Sequence, residues 1–484
     1  MPTRPEPVVT TTAGKVRGRW RDTPGGPSAA FLGIPYAEAP VGDLRFAAPR
    51  RRASWTGVRD AVAYGPTAQV EPLAAVTTIP EPSTPGDDVL NLNVFTPAPG
   101  EHSARLPVLV WIHGGGYMAG CQNSSWYDGD TFTADGVVVV SIGYRLGAEA
   151  WLHLDGAPDN RGALDWVAAL TWVAENVDGF GGDPARVTIA GQSAGGGAVL
   201  DLLAMPSAAG LFARAMPISA ALGEEDPATA HALTSRFTAV SGLPGTAVAA
   251  RALSPRQMHD VTRALSTTPD GGLRIVCSPY ADGVVIPRPV LDALAAGAGG
   301  HVPVMLGTTS HEFNLVGRDV PADIGDEALQ AALTGAGVTP DTAAALVRDR
   351  QAAPGEILGQ AVTDTTFRRL AVQAARARSG QAPTWLYEFA WGSRAASTAG
   401  LAFHCLDLPF WWDRLGGERV TDATGPRPPQ DLASAMHAAM VRFVHGVDPG
   451  WAAFDGRAAM RWDEPAGPDA NAYAQVIGLV PAIA

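Results

Sequence analysis

The stretch Val187-Thr-Ile-Ala-Gly-Gln-Ser-Ala-Gly-Gly196 reads as a short β-branched strand that ends in Gly191-Gln192-Ser193-Ala194-Gly195. An Ala/Leu-rich helical run, Ala198 to Met205, follows it. Strand, sharp turn and helix in this order make a nucleophile elbow, which lifts a serine hydroxyl clear of the backbone. The turn needs glycine two residues to either side of the serine, where a β-carbon would collide with the neighbouring strand or helix. In a chain with 55 glycines the pattern alone is weak evidence, and the strand before it and the helix after it carry the reading.

A second motif lies upstream. Leu106-Pro-Val-Leu-Val-Trp-Ile is a buried-strand run that ends in His113-Gly-Gly-Gly-Tyr117. Acyl transfer builds negative charge on a carbonyl oxygen, and fixed backbone N–H groups stabilise it without reorganising. Consecutive glycines let the backbone come close to a substrate. Strand, H-G-G-G, a spacer, strand and elbow together point to an acyl-transfer enzyme with Ser193 as nucleophile.

The rest of the chain fits this reading. Strand-like runs at Val108–Ile112, Val137–Ile142, Val187–Ala190, Ala215–Ile218, Val302–Leu306 and Thr384–Phe389 alternate with helical ones. Their fully apolar character predicts a mostly parallel central sheet with helices on both faces, an α/β class. Residues 1–484 contain no linker-like tract, which predicts one domain with helical insertions at about 221–300 and 325–380. The net charge of −13, with a lone lysine at Lys15, argues against nucleic acid and anionic membranes as partners. No run has the length of a membrane span, and Met1 to Val9 lack the apolar core of a signal peptide. Cys121, Cys277 and Cys405 are widely spaced without a metal-ligand pattern, so no metal is expected, and a reducing cytoplasm is the expected setting.

Beyond these motifs, the chain resembles the type-B carboxylesterase family, the group that includes bacterial para-nitrobenzyl esterases and the cholinesterases. Phe31 to Ala37, Pro40 to Phe46, Asp88 to Phe95, His113 to Tyr117 and Val137 to Leu146 carry the likeness. Asn160 to Asp165, Phe180 to Pro184, Gly307 to Glu312, His404 to Phe410 and Val441 to Pro449 continue it in order. The resemblance implies a serine hydrolase on an α/β-hydrolase fold, and the leading reading is an ester hydrolase of broad specificity for apolar esters, acting on a small-molecule ester by a mechanism that needs no cofactor; the oligomeric state is left open, with a monomer favoured.

In this fold the chain order is serine, acid, histidine. Histidines before Ser193 break that order, His231 and His259 lie in polar helical stretches, His301 and His311 precede or flank the acid, and His437 and His445 suit packing or a helix end. His404 remains, at the position where the family has its base. Glu312 falls where the family has its acid, with Asp282, Asp319 and Asp407 as competitors. The N–H groups of Gly115, Gly116 and Ala194 are expected to hold the oxyanion. Tyr117, Trp126, Phe313, Phe410, Trp411 and Trp412 are candidate pocket residues, each with core packing as the alternative.

The resemblance also implies Arg45–Asp87 and Arg145–Asp165 salt bridges, and Ser219 behind the triad as a partner of Glu312 or His404. A disulfide common among relatives is missing, its positions being Ala68 and Val89. The segment between them, with Pro80, Pro82 and Pro85, is expected to leave a wider entrance. Gln192, where many relatives carry glutamate, is expected to matter little. Two other functions share these motifs: a catalytically silent binding module, and a hydrolase specialised for amides, thioesters or carbonates.

Overall fold

The computed structural model describes residues 4–23, 25–72, 77–223, 226–267 and 276–477. Parts of the predicted 221–300 insertion (224–225 and 268–275) and Met1 to Thr3 of the N-terminal stretch lie outside the described residues.

Fourteen strands are present among them. A small sheet joins β1 (Val8–Thr10), β2 (Lys15–Arg17) and β5 (Val58–Asp60). The large sheet holds β3 (Arg19–Thr23), β4 (Gly26–Pro35), β6 (Asn91–Thr96), β7 (Leu106–Ile112), β8 (Val138–Ile142), β9 (Gly182–Gln192), β10 (Arg214–Ile218), β11 (Val304–Thr309), β12 (Thr384–Phe389), β13 (Met460–Trp462) and β14 (Gly467–Pro468). Its strand order is β14-β13-β12-β11-β10-β9-β7-β8-β6-β4-β3. The run from β8 to β13 is parallel, and the two margins are antiparallel.

The apolar strand runs have a direct packing cause. In β7, Val108, Val110 and Ile112 face one core while Leu109 and Trp111 face the other. Side chains alternate across a strand, so a sheet covered on both faces needs apolar residues at every position. Helices Arg161–Asn176 and Ala194–Ala204 cover the first face, through Trp166, Leu170 and Val199. Helix Gln430–His445 covers the second, through Leu432, Met436 and Phe443. Helices Asp326–Gly335, Pro340–Arg348 and Pro354–Thr363 pack around a satellite core of Leu329, Leu333, Ala343, Val347 and Ala361.

Strand pairing begins at Val304 rather than Val302 because Pro303 has no N–H, and its carbonyl accepts from Ala215 N instead. The order reverses at the centre. From β7 the chain steps to β8 on one side, then returns to β9 on the other. In such sheets the crevice at the carboxyl ends beside the reversal is the usual ligand site. Ile112 of β7 pairs with Gly191 of β9, so the glycine triplet and the elbow leave the sheet side by side.

The Arg145–Asp165 ion pair forms as expected, at 2.7 Å and buried on both sides. Arg45 does not pair with Asp87. Its guanidinium bonds Glu149 at 2.5 Å, from the helix Gly147–Trp151, and also donates to the Leu253 carbonyl, so these nearer acceptors take its N–H groups.

Candidate active site

Ser193 sits at φ +60° and ψ −122°, between β9 and the helix Ala194–Ala204. A side-chain-bearing residue in such a region costs about 1–3 kcal/mol, which the surrounding structure must hold. Three bonds do so: Ser193 N donates to Ile218 O at 2.9 Å, and Ser193 O accepts from Gly197 N at 2.9 Å and Ala221 N at 3.1 Å. The flanking glycines are required sterically. A β-carbon on Gly191 would lie 2.4 Å from Gly195 O, and one on Gly195 would lie 2.1 Å from Ile112 O.

The glycine triplet faces the elbow. Gly115 has φ +115°, and a β-carbon there would meet Ala119 O at 2.1 Å. His113 anchors the turn. It is buried, its Nδ1 lies 2.8 Å from Gly114 O, and its ring stacks on Tyr144 at 4.5 Å. Burial pulls its pKa down to about 4, so the imidazole is neutral at physiological pH. Among the described residues no acceptor is bonded to the N–H of Gly115 or Gly116. Ala194 N–H, at the first turn of its helix, has no intrahelical partner.

Glu312 follows β11 by a short turn and is 1 % exposed. Its Oε1 accepts from Thr309 N at 2.8 Å, and its Oε2 lies 2.5 Å from His404 Nδ1. The two backbones are joined as well, with His404 N donating to Glu312 O at 2.9 Å. Phe313 and Phe367 enclose the imidazole at 5.0 and 4.9 Å. A carboxylate on Nδ1 holds the proton there and leaves the Nε2 lone pair free to act as an acceptor. Gln192 Nε2 stands 3.2 Å from that Nε2.

The competing acids stand elsewhere. Asp282 accepts the N–H groups of Val284, Val285 and Ile286, and Asp319 is exposed in a 3-10 turn. Asp407 is buried within electrostatic reach of Glu312 and His404, and its Oδ2 accepts from Trp411 Nε1 at 3.2 Å. Burial first, then the charge of Glu312, raises its pKa to about 7.

Ser193, His404, Gly115 and Gly116 open into one cavity of about 200 Å³. Of the six expected pocket residues, only Phe313 lines it. Tyr117 packs on Trp151 and Trp166 and donates to Ala221 O at 2.9 Å. Trp126 is buried, its Nε1 donating to Glu418 O at 2.7 Å. Residues 408–411 form a helical turn that directs rings into the second core. Phe410 packs on Phe389, Trp411 on Tyr387 and Trp412 on Trp111. The cavity is walled instead by Ile79, Pro80, Met118, Cys121, Tyr127 and Cys405. The proline-rich segment gave the only sequence signal for this wall, through Pro80.

Two further expectations change. Ser219 is fully buried at φ +43°, and its Oγ has no partner among the described residues, so it bonds neither Glu312 nor His404. It is held through its backbone, with its N–H donating to Gly307 O at 2.8 Å. Gln192 has a contact that the sequence did not suggest, its Nε2 standing beside the imidazole of His404.

An elbow serine, a buried carboxylate–imidazole pair and free amides at a sheet reversal define a serine hydrolase class of site. The family model described as the carboxylesterase family matches residues 5–464, and the chain belongs to that family. It is a carboxylic ester hydrolase on an α/β-hydrolase fold. It is 36% identical to a para-nitrobenzyl esterase of Bacillus subtilis over 91% of this chain and 90% of that protein. It is 33% identical to a phenmedipham hydrolase of Pseudarthrobacter oxydans over 92% and 90%. Among solved structures, a thermophilic PNB esterase matches with TM-score 0.86 and 30% identity over 98% of this chain and 99% of that one. A carboxylesterase of Geobacillus stearothermophilus matches with TM-score 0.84 and 31% identity, over 98% and 100%.

Proposed function

We propose that this hydrolase acts through Ser193 as nucleophile, His404 as general base, Glu312 as the group that orients and stabilises the imidazolium, and the N–H groups of Gly115, Gly116 and Ala194 as oxyanion hole. The observation that carries the reading is the buried Glu312–His404 contact of 2.5 Å, with that imidazole opening into the same cavity as the elbow serine. His404 Nε2 takes the Ser193 proton as Oγ bonds to the ester carbonyl carbon. Negative charge collects on the carbonyl oxygen, where the three amides and the positive end of the helix Ala194–Ala204 stabilise it. His404 returns the proton to the departing alkoxide, and the alcohol leaves. Water then attacks the acyl-enzyme with the same base, releasing the acid and restoring Ser193. The Gln192 amide occupies Nε2 at rest and gives way to the serine hydroxyl on attack.

An apolar wall of Ile79, Pro80, Met118, Tyr127 and Phe313 supports compact apolar esters as substrates. We read the chain as a single domain. Among the described residues no helix is long and apolar enough to cross a membrane. Three unpaired buried cysteines support a reducing, cytoplasmic setting. The test is hydrolysis of p-nitrophenyl esters of rising chain length by wild type and Ser193→Ala. The variant should lose roughly 10⁴–10⁶ in kcat and should no longer be labelled by an organophosphate. Undiminished turnover in Ser193→Ala would refute the mechanism.

A further inference from the structure

His153, Asp159 and His231 come together away from the cavity wall described above. His153 lies in the loop after the helix Gly147–Trp151, Asp159 lies just before the helix Arg161–Asn176, and His231 is on the helix Pro227–Ser241. One ligand atom from each stands within 4.8 Å of the others. His153 Nδ1 is 2.8 Å from Asp159 Oδ1, and the two imidazoles stack with centroids 4.1 Å apart. On the far side of the His153 ring, Nε2 faces Asp155 Oδ1 at 3.8 Å.

We propose that these three side chains form a divalent transition-metal site of zinc type. Two imidazoles and one carboxylate are a borderline donor set that suits zinc, with a fourth position left for water. Ligand atoms around zinc at about 2.0–2.1 Å sit roughly 3.3 Å apart. To take the ion, the His153–Asp159 contact of 2.8 Å must open slightly, the widest pair must close by up to about 1.5 Å, and the two stacked rings must turn until a nitrogen of each points at the metal. Asp155 Oδ1, 3.8 Å from the other ring nitrogen of His153, would have to move closer to become the carboxylate partner usual for a metal-bound imidazole.

The scaffold around the site is built. Thr234, one turn along from His231, donates through Oγ1 to His153 O at 2.8 Å. Asp155 N donates to Gly245 O at 2.9 Å, and Asp155 O accepts from Ala247 N at 2.9 Å. Asn160 and Tyr280 exchange two bonds, of 2.8 and 3.1 Å. The Tyr280 ring lies edge-on to His231. The ion would therefore clamp the helix Pro227–Ser241 to the loop 152–160, a structural role separate from the ester chemistry. The ligands are spaced six and then seventy-two residues apart, so no short motif announces them.

The test is titration of EDTA-treated, dialysed full-length protein with zinc chloride by calorimetry, paired with thermal unfolding. One ion should bind per chain, raising Tm by about 2–5 °C at saturating zinc. Cobalt(II) should give the visible absorption of a low-coordinate site. His231→Ala should weaken zinc binding at least about 100-fold, since a direct ligand outweighs the outer-shell partners that give 10–100-fold. His231 is exposed, so retained esterase activity certifies that this variant is folded. Asp159→Asn should behave likewise. The proposal falls if zinc gives no saturable heat up to about 100 μM, or if the affinity is unchanged in His231→Ala.

Discussion

Replacing Glu312 by glutamine tests the centre of the mechanism without changing shape. Both carboxylate oxygens are in use, Oε1 by Thr309 N–H and Oε2 by His404 Nδ1–H. An amide has one acceptor and one donor end, so only one of these bonds survives. If the amide oxygen keeps Thr309, its NH₂ faces Nδ1. The imidazole must then carry its proton on Nε2, where it cannot accept one from Ser193. If the amide turns round, a buried Thr309 N–H faces a donor, at about 1–3 kcal/mol. That corresponds to a factor of roughly 5–150 in the population of the competent form. Losing the anion beside the imidazolium removes about 1–3 pH units of stabilisation, a further 10–10³-fold. The expected loss in kcat is therefore around 10³–10⁴-fold, comparable to the roughly 10⁴ known for the equivalent change in a serine protease triad. The assay is kcat and KM for p-nitrophenyl butyrate from pH 6 to 9, with Tm and circular dichroism as fold controls. Asp407→Asn in parallel should lose less than about tenfold, because Asp407 does not bond the histidine. A folded Glu312→Gln variant within tenfold of wild type, or a larger loss in Asp407→Asn, would refute the assignment of the acid.

Gln192→Glu places a carboxylate 3.2 Å from His404 Nε2, favouring the protonated imidazole, so the acid limb of kcat/KM should move to higher pH by about one unit or more. A superimposable pH profile would show that the contact has no influence. Asp165→Asn leaves Arg145 buried without its counter-charge and should lower stability by about 3–5 kcal/mol, read from thermal and urea unfolding; a loss under 1 kcal/mol would contradict the buried pair. Asp407 titrates near 7 when folded, against about 3.9 unfolded, so the folded state binds the extra proton between those values. Its contribution to stability is full below pH 4 and is lost as pH rises through 7, amounting to at most about 4 kcal/mol. Asp407→Asn should therefore gain in Tm relative to wild type as pH rises from 5 to 8, and a constant difference would argue against the shift. Gly195→Ala, with its β-carbon 2.1 Å from Ile112 O, should abolish soluble, active protein, which expression yield and activity will report.

The readable features of this chain are those whose signal is local. A strand buried on both faces is apolar at nearly every position, so Val108–Ile112 of β7 is legible in the sequence as it stands in the structure. Edge strands were missed for the same reason. Arg19–Thr23 is mostly polar and partly exposed on both faces, and Gly467–Pro468 is two residues long, so neither carries an apolar run. The elbow was legible because its glycines answer to backbone atoms a few residues away or on the next strand. The aromatic run Phe410-Trp411-Trp412 misled because its nearness to His404 along the chain says nothing about direction. A single helical turn swings those rings behind the sheet. Arg45 took Glu149 over Asp87 because a guanidinium pairs with whichever acceptors the fold brings nearest.

Residue type and short-range sterics are enough to mark the central parallel strands, the serine on its turn and the amides beside it, and the family resemblance adds Glu312 and His404 in their order after the serine. What meets across distance came from packing alone: Gln192 against the imidazole, Ile79 and Tyr127 in the cavity wall, Asp407 buried on Trp411, and two histidines stacked beside Asp159. Such meetings depend on how separate segments pack, and packing is a property of the whole chain that no local pattern carries.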